Sequence, residues 1–192
     1  MASPDAPPVD ILIDGSEVAG SVAYTNSTPY LSVKSGNRSV EGRAVSNSKT
    51  IFQETVAVPE SANQTLIVTG SAAQTKTLVL TDGKASSTVA TGQGSVRVVN
   101  ASSNMGPADI YILNAGTGLS GATPVATGVD FDESTTYQLT AIGNYEVFMT
   151  APGTTNVFVH TGPLALTQGQ FQTVLAVDGT NSGFNYLVLT DQ

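Results

Sequence analysis

The chain repeats itself, and this constrains its fold more than any other feature. Val9-Asp10-Ile11-Leu12-Ile13 returns as Ala108-Asp109-Ile110-Tyr111-Ile112 at an offset of 99, with Pro8 matched by Pro107. Tyr30, Gly36-Asn37 and Val40 return as Tyr137, Gly143-Asn144 and Val147 at an offset of 107. The best match, Thr77-Leu78-Val79-Leu80-Thr81-Asp82 with Tyr186-Leu187-Val188-Leu189-Thr190-Asp191, lies at 109. The drift marks small insertions in the second copy, one of them at Asn114-Ala115-Gly116-Thr117-Gly118. Self-similarity of this kind means two homologous domains in tandem. Domain 1 is expected over 1–83 and domain 2 over 95–192, with the small, polar stretch 84–94 as a flexible linker.

Within each copy the hydrophobic period is two. Val9, Ile11 and Ile13 alternate with Asp10, Leu12 and Asp14, and Tyr145–Met149 and Asn156–His160 alternate likewise, which predicts half-buried strands. Gly36-Asn37 and Gly143-Asn144 sit between such strands and read as hairpin turns. No stretch keeps helical spacing. Short strands punctuated by turn signals about every 8–12 residues predict an all-β chain of two tandem immunoglobulin-like antiparallel β-sandwich domains.

The repeat also exposes a gap. Copy two opens with Ser95-Val96-Arg97-Val98-Val99-Asn100, a clean strand, ahead of Ala101-Ser102. At the offset of 99, Met1 stands opposite Asn100, so domain 1 lacks its N-terminal strand. Three ways of filling the place follow: the strand lies upstream of Met1, another chain supplies it, or domain 1 lays its exposed edge against domain 2. The first is favoured, because a cut inside the motif would leave Ala-Ser-Pro-Asp-Ala-Pro against Met1.

Composition narrows the function classes. Charged residues make up 11% of the chain, less than half the usual share of about 25%, so Ser, Thr, Asn and Gln must build the polar surface, a habit that suits extracellular β-proteins. The net charge of −8 and only seven Lys and Arg argue against nucleic acid, whose phosphates need clustered cations, and against anionic membranes. There is no cysteine and a single histidine, His160, which removes disulfides, thiolate chemistry and His-rich metal clusters. No apolar run reaches the roughly 18–20 residues that span a bilayer, and no signal peptide opens the chain. The expected protein is soluble and exported, its targeting segment removed or upstream of Met1.

Ala2-Ser3-Pro4-Asp5-Ala6-Pro7-Pro8-Val9-Asp10-Ile11-Leu12-Ile13-Asp14-Gly15 and Val96-Arg97-Val98-Val99-Asn100-Ala101-Ser102 resemble the signature of a bacterial and archaeal domain family of unknown function. Its members tend to open each copy with Arg, two hydrophobic residues and His-Ala-Ser-Pro-Asp-Ala-Pro. The resemblance covers nearly the whole chain as two copies and implies a β-sandwich in a secreted or surface-anchored protein. It carries over no catalytic residue. Copy two departs from the run, with Asn100 at the His position and Ser103-Asn104-Met105-Gly106 replacing Pro-Asp-Ala-Pro.

Candidate sites are few, and each has a structural reading beside it. Asp5 in the Pro-rich run is a ligand candidate or the acceptor of a tight turn, the latter favoured. Asp10 and Asp109, at equivalent strand positions, pair as a ligand site or belong to solvated strand faces. Asp130, Asp132 and Glu133 form the densest acidic run and are calcium candidates, though their spacing fits no twelve-residue calcium loop and suits an acidic loop as well. His160 lacks triad or zinc partners. No nucleophile elbow, P-loop or dinucleotide fingerprint occurs, and Gly116-Thr117-Gly118-Leu119-Ser120-Gly121 reads as a loop insertion. Asn26, Asn37, Asn63 and Asn100 head Asn-x-Ser/Thr sequons.

The expected function is therefore a non-enzymatic extracellular or cell-surface structural or adhesive element without cofactor. Its sharpest form is a filament subunit whose copies join through the open edge of domain 1. The alternative is a ligand-binding module for surface glycans or proteins, with Tyr30, Tyr111 or Tyr137 lining a groove.

Overall fold

The computed structural model describes residues 1–83, 89–179 and 183–191. Every regular element among them is a strand, and the chain divides into two compact units, Met1–Asp82 and Gly83–Gln192. Each unit is a β-sandwich, so the tandem arrangement expected from the repeat holds.

Unit 1 has strands β1 (Val9–Ile13), β2 (Ser16–Val22), β3 (Gly36–Ala44), β4 (Thr50–Val58), β5 (Gln64–Ser71) and β6 (Gln74–Thr81). One sheet runs β2-β1-β3-β4 and the other is the hairpin β5-β6. Val9, Val22 and Phe52 from the first meet Val68 from the second in the core. β-Branched and aromatic residues suit this role because they pack well on a pleated surface. The β1–β2 hairpin closes on Asp14-Gly15, with φ of 50° and 79° and Ile13 paired to Ser16, the geometry of a two-residue type I′ turn.

Unit 2 has β7 (Gln93–Asn100), β8 (Ala108–Asn114), β9 (Ala126–Val129), β10 (Glu133–Ser134), β11 (Gln138–Ala141), β12 (Gly143–Thr150), β13 (Val157–His160), β14 (Leu164–Leu166), β15 (Phe171–Asp178) and β16 (Phe184–Asp191). One sheet runs β10-β7-β15-β16 with β11 also on β7, and the other runs β13-β12-β8-β9 with β14 also on β12. Val96, Val98, Val174 and Ala176 from one face Ile110, Tyr145, Val147 and Met149 from the other.

Four details depart from the sequence-based expectation. Gly36 and Gly143 do not close hairpins: each starts a strand, and Gly143, at φ 135°, turns the chain from β11 in one sheet into β12 in the other. The sheets are not wholly antiparallel, because β7 lies parallel to β15. β12 is buried on both faces rather than one: His160 stacks on Phe148 at 4.1 Å and brings Nε2 within 3.4 Å of Glu146, covering the face expected to be wet. Finally, part of the expected linker belongs to unit 2. Gln168 Nε2 donates to Ala90 O and Gly169 N to Gln93 O, because β7 needs its start anchored; 84–88 lie outside the described residues.

Candidate functional site

The first strand of unit 2 shows how the corresponding place in unit 1 is framed. β7 lies between β15, parallel to it, and β10 and β11, antiparallel to it. Ser95 N donates to Gln170 O and Ala101 N to Ala176 O, while Val98 O and Asn100 O accept from Thr135 N and Asp132 N. Odd residues of β7 thus bond one neighbour and even residues the other, as strand geometry requires. Val96, Val98 and Val99 are fully buried.

Between them Arg97, also buried, donates from Nη2 to Thr173 Oγ1 at 2.9 Å and lies 3.9 Å from Asp191 and 4.5 Å from the centre of the Tyr137 ring. Tyr137 donates its hydroxyl to Asp191 and meets Phe171 edge-on. Burial, and then the hydrogen bond to Asp191, push the Tyr137 phenol up to about 12.

Unit 1 repeats this frame. β5 and β6 match β15 and β16 at offsets of 108 and 109, and Tyr30, Thr65 and Asp82 match Tyr137, Thr173 and Asp191. Tyr30 and Thr65 each donate to Asp82 Oδ2 at 2.7 Å. The end of the frame is also kept: Ala2 N donates to Val68 O as Ala101 N does to Ala176 O, and Thr25 N to Met1 O as Asp132 N does to Asn100 O. Thr25 and Asp132 even share a positive φ, 66° and 63°.

Between these markers no strand among the described residues takes the place of β7, and β5 pairs with β6 alone. Gln64, Thr65 and Leu66 are half-buried, whereas their counterparts Gln172, Thr173 and Val174 are 6%, 0% and 0% exposed. Segment 31–34, which matches β11, forms no strand and exposes Leu31 and Val33. The physical cause is common to both: a segment that pairs with β7 in unit 2 has nothing to pair with in unit 1. The result is an open strand position bordered by β5 on one side and 31–34 on the other, a geometry suited to strand addition.

Of the carboxylates singled out in the sequence, those of Asp5, Asp10, Asp109, Asp130 and Glu133 accept from backbone amides. Asp5 accepts from Ala72 N at 2.8 Å and clamps the β5–β6 turn. In unit 2 the roles are exchanged, and Asp178 accepts from Ser102 and Ser103 across the corresponding turn. Asp10 accepts from Ser21 N, and Asp109 from Gly128 N and Gly153 N. Ser21 and Gly128 both have positive φ, 54° and 64°, so each Asp pins the same irregular bend in the strand that follows it.

Asp130 accepts from Phe131 N, Glu133 from Asp130 N, and Asp132 donates its amide to Asn100 O. Among the described residues no three His, Asp or Glu side chains come together as a metal-holding group, so the structure does not gather Asp130, Asp132 and Glu133 into a cation cage.

Tyr111 is 8% exposed and Tyr137 is turned into the Arg97 cluster, so neither ring stands out from the surface of unit 2. Asn100 is fully buried, its Nδ2 donating to Gly106 O and Val129 O, whereas Asn26 and Asn37 are exposed. The open strand position itself was legible from the repeat offsets; the clustering of Tyr, Thr and Asp beside it was not. The signal was present in the recurrence of Tyr30 and Asp82 at their offsets.

Fold and site together define a tandem β-sandwich protein in which no strand among the described residues of unit 1 takes the place that β7 holds in unit 2. The chain belongs to the family described as a domain of unknown function, DUF4397, whose model matches residues 1–111 and again 95–192. The first match runs beyond unit 1 through β7 and into β8, so 95–111 fit the family in both copies. No curated protein matches the chain.

Proposed function

We propose that this protein is a non-enzymatic structural or adhesive element of an extracellular or cell-surface assembly, whose copies join by strand addition at unit 1. The observation that carries the reading is the open position between β5 and segment 31–34, where unit 2 holds a fully buried strand. An edge left with unpaired N–H and C=O groups is covered or used in natural proteins. A head-to-tail contact of this kind grows as a filament wherever its rotation does not close into a ring. The low charge content supports an extracellular setting.

Size-exclusion chromatography with light scattering, together with negative-stain imaging, tests the proposal. Concentration-dependent association into linear assemblies is expected. A strictly monomeric protein across the accessible concentration range overturns it.

A further inference from the structure

We infer that the open position of unit 1 is directional and reads side chains: it takes an extended strand of the β7 class, parallel to β5 and antiparallel to 31–34, with β-branched apolar residues at its two inward positions. This rests on the reading above and names the partner chemistry.

The polarity follows from the backbone. Asp82 N donates to Asn63 O, so the odd residues of β5 bond β6, and the even residues, Leu66 and Val68 among them, turn N–H and C=O to the open side. Val68 O already accepts from Ala2 N there. Their counterparts Val174 and Ala176 face β7, which runs parallel. On the other side Leu31 and Val33 match Gln138 and Thr140, whose partners in the antiparallel β11–β7 ladder are Val96 and Gly94.

The side-chain requirement follows from the core. Val96 and Val98 fill unit 2 against Val174, Ala176 and Tyr145. In unit 1 the same space lies over Leu66, half-buried beside Val9, Val22, Phe52 and Val68. The two inter-sheet positions that meet as Tyr145 and Gln172, hydroxyl to amide oxygen, are Arg38 and Gln64 in unit 1, and each leaves a buried polar atom without a hydrogen-bond partner, Arg38 Nε and Gln64 Oε1. A strand that closes the gap completes the apolar side of this core. A charge at either inward position would be buried unpaired, which costs far more than a lost methyl contact.

The probe is a synthetic peptide of the sequence at 93–99, Gln-Gly-Ser-Val-Arg-Val-Val, added to the full chain, because Met1 and Ala2 already fill the places of Asn100 and Ala101. Calorimetric titration should show one site per chain. Hydrogen exchange should show new protection at Leu31, Val33, Leu66 and Val68, with no change at Gln172 and Val174. A peptide with both inward valines replaced by Asp should bind at least about tenfold more weakly, as should the native peptide to Val33→Pro, a change in an exposed segment outside any strand that removes one pairing N–H. Equal binding of native and Asp-substituted peptides, or protection confined to unit 2, overturns the inference. The two readings fail separately: peptide uptake by a chain that never self-associates sinks the assembly and leaves the acceptor, and self-association by a chain that ignores the peptide does the reverse.

Discussion

Asp109 offers the sharpest test of whether the acidic strand positions hold structure or ligand. The residue is 4% exposed, and its carboxylate accepts from Gly128 N at 2.9 Å and Gly153 N at 2.7 Å, one bond to each oxygen. Asp109→Ala removes both acceptors and strands two amides at the edge of the sandwich. A hydrogen bond to a charged group contributes about 1.5–3 kcal/mol, so the loss should be about 3–6 kcal/mol, a large share of the roughly 5–15 kcal/mol that holds a domain together. At about 4 °C per kcal/mol for a domain near 100 residues, the midpoint of unit 2 should fall by about 12–24 °C.

Asp10, its counterpart, accepts from Ser21 N alone among the described contacts, in an exposed bond, and Asp10→Ala should cost about 1 kcal/mol. Thermal and urea unfolding, with hydrogen exchange assigning each transition to its unit, measures both. Equal losses for the two variants, or a loss below about 1 kcal/mol for Asp109→Ala, would refute the reasoning and return Asp109 to the ligand candidates.

Three further outcomes are expected. Gly42→Ala places a Cβ 2.1 Å from Phe52 Cε1 and should destabilise unit 1 by about 1–3 kcal/mol, with partial recovery in the double variant carrying Phe52→Leu; calorimetry reads both. Arg97→Ala leaves Asp191 buried without its cation and should cost about 3–5 kcal/mol in denaturant titration, whereas an unchanged midpoint would show that the cluster contributes nothing. The Tyr137 phenol, raised from 10.0 to about 12, stays protonated longer in the fold than in the unfolded chain. Its contribution is therefore full below pH 10.0 and is lost as pH rises toward about 12. Alkaline unfolding of Tyr137→Phe should show a shallower loss over that window, read by circular dichroism against tyrosinate absorbance.

Much of the candidate site could be read before any coordinates. The offset of 99 placed Met1 opposite Asn100 and so located the empty strand, and the structure keeps that alignment bond for bond at Ala2 and Thr25. What pattern reading passed over was turn chemistry. Asp14-Gly15 is a strong hairpin signal, and it closes β1 onto β2, while Gly36 and Gly143, read as hairpins, each start a strand, and at Gly143 the chain changes sheet. A positive φ is common to both settings, so the glycine alone does not tell them apart.

The sequence by itself determined that there are two copies and that both are built of strands, because repeats and a period of two are properties of the chain read in order. Only the tertiary structure decided the direction of the vacant position and the company of the acidic residues. β7 runs parallel to β15, an arrangement that local pattern does not encode, since a strand alternates in the same way whichever direction its neighbour takes. Asp5, Asp10 and Asp109 look like free carboxylates in a line of letters. They become backbone clamps only when Ala72, Ser21, Gly128 and Gly153 are brought to them from distant parts of the fold, because a buried amide must find an acceptor wherever the chain provides one.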